Sequence, residues 1–172
     1  MKHLNSSLHQ PKIVACPALG CGRSFVSRSA MLLHLEEGKC PSGLDRAAVN
    51  RLVREYDRNN IITDPSRLLT NGTNTEITYM AGPSSWNDYR QGYECYLCHT
   101  LYGALARLNQ HLASAKHKAK IYFCPLDSCK NRFPTLSGLC QHIESEKCGV
   151  SRFRAVQTAM DGLLGKMKRL TN

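Results

Sequence analysis

Cysteine and histidine spacing constrains this chain more than any other feature. Two residues separate Cys95 from Cys98, twelve separate Cys98 from His111, and five separate His111 from His117. Two thiolates on a tight knuckle and two imidazoles about a turn and a half apart can converge on one tetrahedral ion. The longer interval holds one hairpin strand and a helix. Tyr102, four residues after the second cysteine, and Leu108, three before the first histidine, supply the small core of such a ββα unit.

The same template occurs twice more, as Cys16, Cys21, His34 and Cys40, and as Cys124, Cys129, His142 and Cys148, each with twelve residues in the middle and five near the end. Phe25 and Met31 match Tyr102 and Leu108 in the first copy, and Phe133 and Leu139 match them in the third. The expected fold is therefore a small zinc-stabilised α+β protein: three ββα zinc fingers, one Cys2His2 and two Cys2HisCys, with two additional amphipathic helices. The expected cofactor is three structural Zn²⁺ ions, because four protein ligands leave no open position for a reacting water. Fingers this small cannot fold on apolar burial alone, and zinc binding supplies about 10–16 kcal/mol.

Composition agrees. In 172 residues only 7% are aromatic, too few for one large core and suited to small metal-stapled modules. Eight of the nine cysteines fall on the template, and no charged N-terminal segment precedes an apolar stretch, so disulfides are the weaker reading and a reducing compartment, nucleus or cytoplasm, is expected. Cys140 is the cysteine off the template, read as a small apolar or surface residue at the place of Leu32 and Asn109. His99 matches Gly22 and Lys130 and is not read as a ligand. The formal charge of +10 becomes +8 once three Zn²⁺ bind eight thiolates, so the chain stays basic. Residues 93–172 carry twelve Lys/Arg against five Asp/Glu, residues 1–92 eleven against eight, which places the stronger polyanion footprint in the second half.

In chain order, residues 1–12 read as a disordered tail and 13–62 as finger one with an accessory helix. Residues 63–92 read as a linker, rich in Pro, Gly, Asn, Ser and Thr, parts of which Leu68, Leu69 and Trp86, with Ile61 and Ile62 just before it, could anchor to a folded neighbour. Fingers two and three occupy 93–120 and 121–150, and 151–172 reads as a C-terminal amphipathic helix. Ser27 or Ser29 could cap the first finger's helix, and Gly38 lets the chain turn back towards Cys40. Ser42 and Asp45 resemble a capping box, and Leu44, Ala48, Leu52 and Tyr56, with Val49 and Val53 beside them, then line one face of a helix over 43–58. Phe153, Val156, Met160, Leu163, Leu164, Met167 and Leu170 form a comparable stripe, predicting a helix over 151–169. These two helices should pack on their own fingers or on each other. Six residues separate the second and third templates and 54 the first and second, which predicts a tandem of fingers two and three.

The segment YECYLCHTLYGALARLNQHLASAKHKAK resembles the matrin-like fingers that bind double-stranded RNA, in its two-residue knuckle, five-residue histidine gap and lysine-rich exit. CGRSFVSRSAMLLHLEEGKCPSGLDRAAVNRLV, ALARLNQHL, KIYFCP and IESEKCGVSRF are similar to segments of short fungal multi-finger zinc proteins. The first resemblance implies RNA as a target; the second implies an architecture and no activity.

The positions a DNA-reading finger aims at base edges are Ser27, Ala30 and Leu33 in finger one, Ala104, Arg107 and Gln110 in finger two, and Thr135, Gly138 and Gln141 in finger three. Only Arg107, Gln110 and Gln141 suit bidentate readout. Backbone or shape recognition asks only for cations, which Lys116, Lys118, Lys120, Lys130 and Arg132 supply. The functional expectation is thus nucleic-acid binding, RNA or DNA, mainly through the backbone by fingers two and three. The alternative is a protein-interaction adaptor working through the amphipathic helices or Leu32 and Leu33. Membrane binding is not favoured, because packing explains the C-terminal stripe. No glycine-rich phosphate loop, carboxylate pair or nucleophile arrangement points to an enzyme.

Overall fold

The computed structural model describes residues 10–68, 78–150, 156, 158, 160–162 and 165. Each cysteine–histidine template folds as two short antiparallel strands followed by a helix. The elements are β1 (Val14–Ala15), β2 (Ser24–Phe25) and α1 (Arg28–Glu36), then α2 (Arg46–Tyr56) and α3 (Pro65–Leu68). They continue with β3 (Trp86–Asn87), β4 (Gly92–Glu94), β5 (Leu101–Tyr102) and α4 (Leu105–Ala113), and close with β6 (Tyr122–Phe123), β7 (Arg132–Phe133) and α5 (Leu136–Glu144). The result is a small α+β protein in two compact units, one of residues 1–72 with 120–172 and the other of residues 73–119. Chain proximity predicted that the second and third templates would pair, yet the third shares its unit with the first.

The reason lies in α1 and α5, whose packing is the most extensive between any two elements described. Leu32, Leu35, Leu136 and Leu139 are fully buried in one core with Met31 and Cys140, each leucine worth about 1.5–3 kcal/mol relative to exposure. The helices run antiparallel, and each ends in a glutamate that reaches the first turn of the other. Glu144 Oε1 accepts from the Arg28 and Ser29 amides at 2.9 and 3.2 Å, and Oε2 accepts from the Ser29 hydroxyl at 2.5 Å. Glu36 accepts from the Leu136 and Ser137 amides at 2.8 and 3.2 Å. The third amide of each helix goes to its own N-cap: Ala30 to Ser27 Oγ and Gly138 to Thr135 Oγ1, both at 3.1 Å. The open donors of each helix start are thereby satisfied, which is what makes burial of these ends tolerable. Burial pushes the Glu36 carboxyl above its usual range, opposed by Ser137 and the two amides it accepts from.

Helix α2 begins three residues later than the sequence suggested. Gly43 has φ +69°, a left-handed turn that cannot continue a helix, and Asp45 rather than Ser42 is the cap, accepting from the Ala48 amide at 2.7 Å. Val49 and Val53 face the shared core. Of the expected C-terminal helix, the described positions Val156, Thr158, Met160, Asp161, Gly162 and Gly165 are helical, with Val156 and Met160 buried in that same core. Tyr56 lies so close to Gly162 that a Cβ there would meet its ring and hydroxyl, so the two accessory helices meet. The other expected positions of that helix, and residues 1–9 of the expected tail, lie outside the described residues.

The expected linker carries structure at both ends. Ile62 accepts from the Phe123 amide at 3.0 Å, Ile121 accepts from the Asp64 amide at 2.9 Å, and Thr63 bridges Tyr122, so this stretch lines the β6 edge. Trp86 and Asn87 pair with Tyr93 and Gly92, making the middle sheet three-stranded in the order β3-β4-β5. Two isoleucines and a tryptophan provide the apolar anchors, Ile62 being 1% exposed and Trp86 lying edge-on to Tyr93 at 5.0 Å.

Buried Asp57 organises the stretch that lines β6. Its carboxylate accepts from the amides of Ile61, Ile62 and Thr63 and from the Thr63 hydroxyl at 2.8–3.0 Å. Asp57→Ala leaves these donors without their acceptor and is expected to destabilise the zinc-loaded protein by about 2–4 kcal/mol, read as a lower denaturant midpoint by circular dichroism.

Candidate metal centres

In each template the hairpin presents two cysteines and the following helix presents a histidine. The knuckle requires a left-handed residue directly after the second cysteine, and the three templates place Gly22 (φ 63°), His99 (φ 56°) and Lys130 (φ 47°) there. This backbone role accounts for His99, which turns away from the metal ligands to contact Glu94 Oε1 through Nδ1 at 3.0 Å. The exit from the helix repeats in the outer two: Gly38 (φ 69°) and Glu146 (φ 53°) turn the chain back towards Cys40 and Cys148.

All twelve expected ligands gather into the three expected sets. Within each, the four ligand atoms lie within 4.8 Å of one another. The Sγ–Sγ separations are 3.7 Å for Cys16 and Cys40 and 3.8 Å for Cys124 and Cys148, far beyond a disulfide bond of about 2.05 Å. A tetrahedral ion with Zn–S near 2.3 Å puts two sulfurs about 3.8 Å apart. Sulfur–nitrogen edges agree: Cys21 to His34 Nε2 is 3.3 Å, Cys98 to His111 Nε2 is 3.4 Å, Cys95 to His117 Nε2 is 3.5 Å and Cys129 to His142 Nε2 is 3.4 Å. Donor type, number and spacing fit three structural Zn²⁺ ions. Every position around each ion is filled by protein, so the ions hold the fold together.

An aromatic ring supports the first histidine of each set. Phe25, Tyr102 and Phe133 lie 5.0, 4.9 and 5.1 Å from the rings of His34, His111 and His142, tilted by 32°, 33° and 37°. Beneath them Met31, Leu108 and Leu139 are buried. This is the core pair the spacing predicted, and it fixes each imidazole with Nε2 towards the thiolates.

Electrostatics point the same way. Burial lowers the pKa of His34 and of His111, which favours the neutral form a ligand needs. Burial also pushes the Cys16 and Cys124 thiols up to about 12, so without an ion neither would ionise near neutral pH, and a cation is what makes these thiolates stable. Elsewhere the protein assists: the Thr100 hydroxyl lowers the pKa of Cys98, and the Asn131 amide lowers that of Cys129.

Cys140 belongs to none of the sets. It is 3% exposed against α1, and burial, with Glu144 beside it, pushes its thiol up to about 12, the profile of a packing residue. Its equivalents show what sequence reasoning missed. Leu32 is buried against α5, and Asn109 in the middle finger bonds both main-chain polar groups of Ala81, at 2.8 and 3.1 Å. One helix position thus contacts the neighbouring element in all three fingers.

The seven expected nucleic-acid contacts are divided between the two units. Arg107 and Gln110 are exposed on α4, and Lys116 is exposed in the 3-10 turn Ala115–His117. Lys118 lies over the Tyr79 ring at 5.9 Å. Lys120 belongs to the other unit, where Lys130 pairs with Asp127 at 3.6 Å and Arg132 with Asp64 at 2.5 Å.

Because ligands must be deprotonated, acid competes with metal. The purified protein is expected to carry three zinc ions per chain by native mass spectrometry, to lose them as pH falls below the range where imidazole and thiolate compete with protons, and to lose its helical circular dichroism with them. No protein-family model, no curated protein and no solved structure matches the chain.

Proposed function

We propose that this is a zinc-finger protein that binds nucleic acid, with its contacts made chiefly by the middle finger and structured RNA as the preferred target. The observation that carries this reading is the contrast between the helices. In α1 and α5 the helix starts are filled by the partner's glutamate and the outward faces are packed on each other, so neither is free to enter a groove. Helix α4 has Ala104 at its N-cap, with no side-chain cap bond, and around it Gly103, Ala104, Ala106, Arg107, Gln110, Ala113 and Ser114 are exposed. Small residues around one arginine and one glutamine let a helix approach a phosphate backbone closely. Lys116 extends the cationic edge.

Among residues 73–119 there are four Lys/Arg against three Asp/Glu, so these cations act by placement. The basic excess elsewhere in the chain favours encounter with a polyanion. The hairpin-then-helix order around Cys95, Cys98, His111 and His117 and the lysine-rich exit support the ββα identity and the likeness to matrin-like RNA-binding fingers. No catalytic step is part of this reading; the two outer fingers serve as a scaffold.

A protein-interaction adaptor is the second reading, favoured by the apolar exposure of the middle unit: Met80 is 74%, Tyr96 49% and Leu97 40% exposed. A salt titration against duplex RNA, duplex DNA and single strands separates the two. Phosphate contact makes affinity fall linearly in log–log form with added salt. Replacing Arg107 and Lys116 together by Glu is expected to weaken binding more than about tenfold and flatten that slope, while Lys130→Glu stays within about twofold. No binding to any of the three supports the adaptor.

A further inference from the structure

The two Cys3His centres are chained together by the same glutamates that cap the helices. His34 is presented by α1 and His142 by α5. Two residues beyond His142 stands Glu144, which holds the first amides of α1, and two beyond His34 stands Glu36, which holds those of α5. Each centre therefore supports a helix whose last turn stabilises the start of the helix that supports the other. The packed face joins them a second time: Leu32 and Leu35 are fully buried and Cys140 is 3% exposed, all in one core that also receives Cys40 and Cys124. A finger without its ion cannot keep its helix. Melting of α5 would withdraw Glu144 and Leu136 together, stranding the Arg28 and Ser29 amides and exposing Leu32.

The middle centre has none of this wiring. Ala113 stands where Glu36 and Glu144 stand, Asn109 holds the main chain of Ala81 in place of a second helix, and its core of Cys95, Leu108 and Leu112 is separate.

We propose that the centres of Cys16, Cys21, His34 and Cys40 and of Cys124, Cys129, His142 and Cys148 bind and release zinc as one cooperative pair, with Glu36 and Glu144 as the positioning residues that couple them, while the middle centre exchanges its ion independently. The proposal rests on the metal centres and not on the nucleic-acid reading.

The test uses the full zinc-loaded chain, a chelator and cysteine alkylation mapped by mass spectrometry. In the wild type, Cys16, Cys21, Cys40, Cys124, Cys129 and Cys148 are expected to become reactive along one curve, and Cys95 and Cys98 along another. His142→Ala should speed alkylation of Cys16, Cys21 and Cys40 at least tenfold and leave Cys95 and Cys98 unchanged. His111→Ala should expose only Cys95 and Cys98. Glu144→Ala, which removes no ligand, should speed loss of the first centre's ion severalfold. Separate curves for the two outer centres, or a protected first centre in His142→Ala, overturns the proposal. If His142→Ala is insoluble, the wild-type curves decide it alone.

Discussion

Convergence of four soft or borderline donors on one ion is the interaction from which everything else in this protein follows. Each metal set closes a two-stranded hairpin of two or three residues per strand onto a nine-residue helix, elements too short to persist without it. The ion also settles electrostatics that burial alone would make unfavourable, since burial pushes the Cys16 and Cys124 thiols up and a cation favours their thiolates. Aromatic rings on the second strands then fix the imidazoles, and Met31, Leu108 and Leu139 are buried beneath them.

In each of the three cysteine–histidine templates, one helix position meets a neighbouring stretch of chain. Leucine at 32 and cysteine at 140 are compact and apolar, and they let α1 and α5 lie against each other. Asparagine at 109 instead offers a donor and an acceptor to a passing main chain, and Ala81 takes both. Flanking positions reinforce the difference. Ser29 and Glu36 in the first finger, with Ser137 and Glu144 in the third, form reciprocal caps, whereas the middle finger has Ala106 and Ala113 in those places. The first and third templates thus pack on each other, while α4 has Ala106, Arg107, Gln110 and Ala113 exposed.

The segments between fingers are also put to use. A two-stranded hairpin has two open edges, a standing invitation to pair with other strands. Residues 62–64 line one edge of the third hairpin and Trp86–Asn87 one edge of the second, so a stretch that looks like a linker by composition blunts two edges. Asp57 makes the first of these possible by accepting from three successive amides and a hydroxyl.

What the sequence determined by itself was the local chemistry: the twelve ligands, their grouping in three sets, the aromatic and aliphatic core pair in each, a serine cap at 27 or 29, the turn at Gly38 and the apolar face of α2. All of these depend on residues fewer than about thirty positions apart, where spacing alone fixes geometry. The pairing of the first and third fingers, the caps across Glu36 and Glu144, the burial of Cys140 and the commitment of Arg132 to Asp64 were decided only in the tertiary structure. They join residues 68 to 116 positions apart, and no periodicity within one element records which distant face it will meet. A glutamate two residues past a ligand histidine reads as an ordinary surface charge until a second helix arrives with unsatisfied amides to receive it.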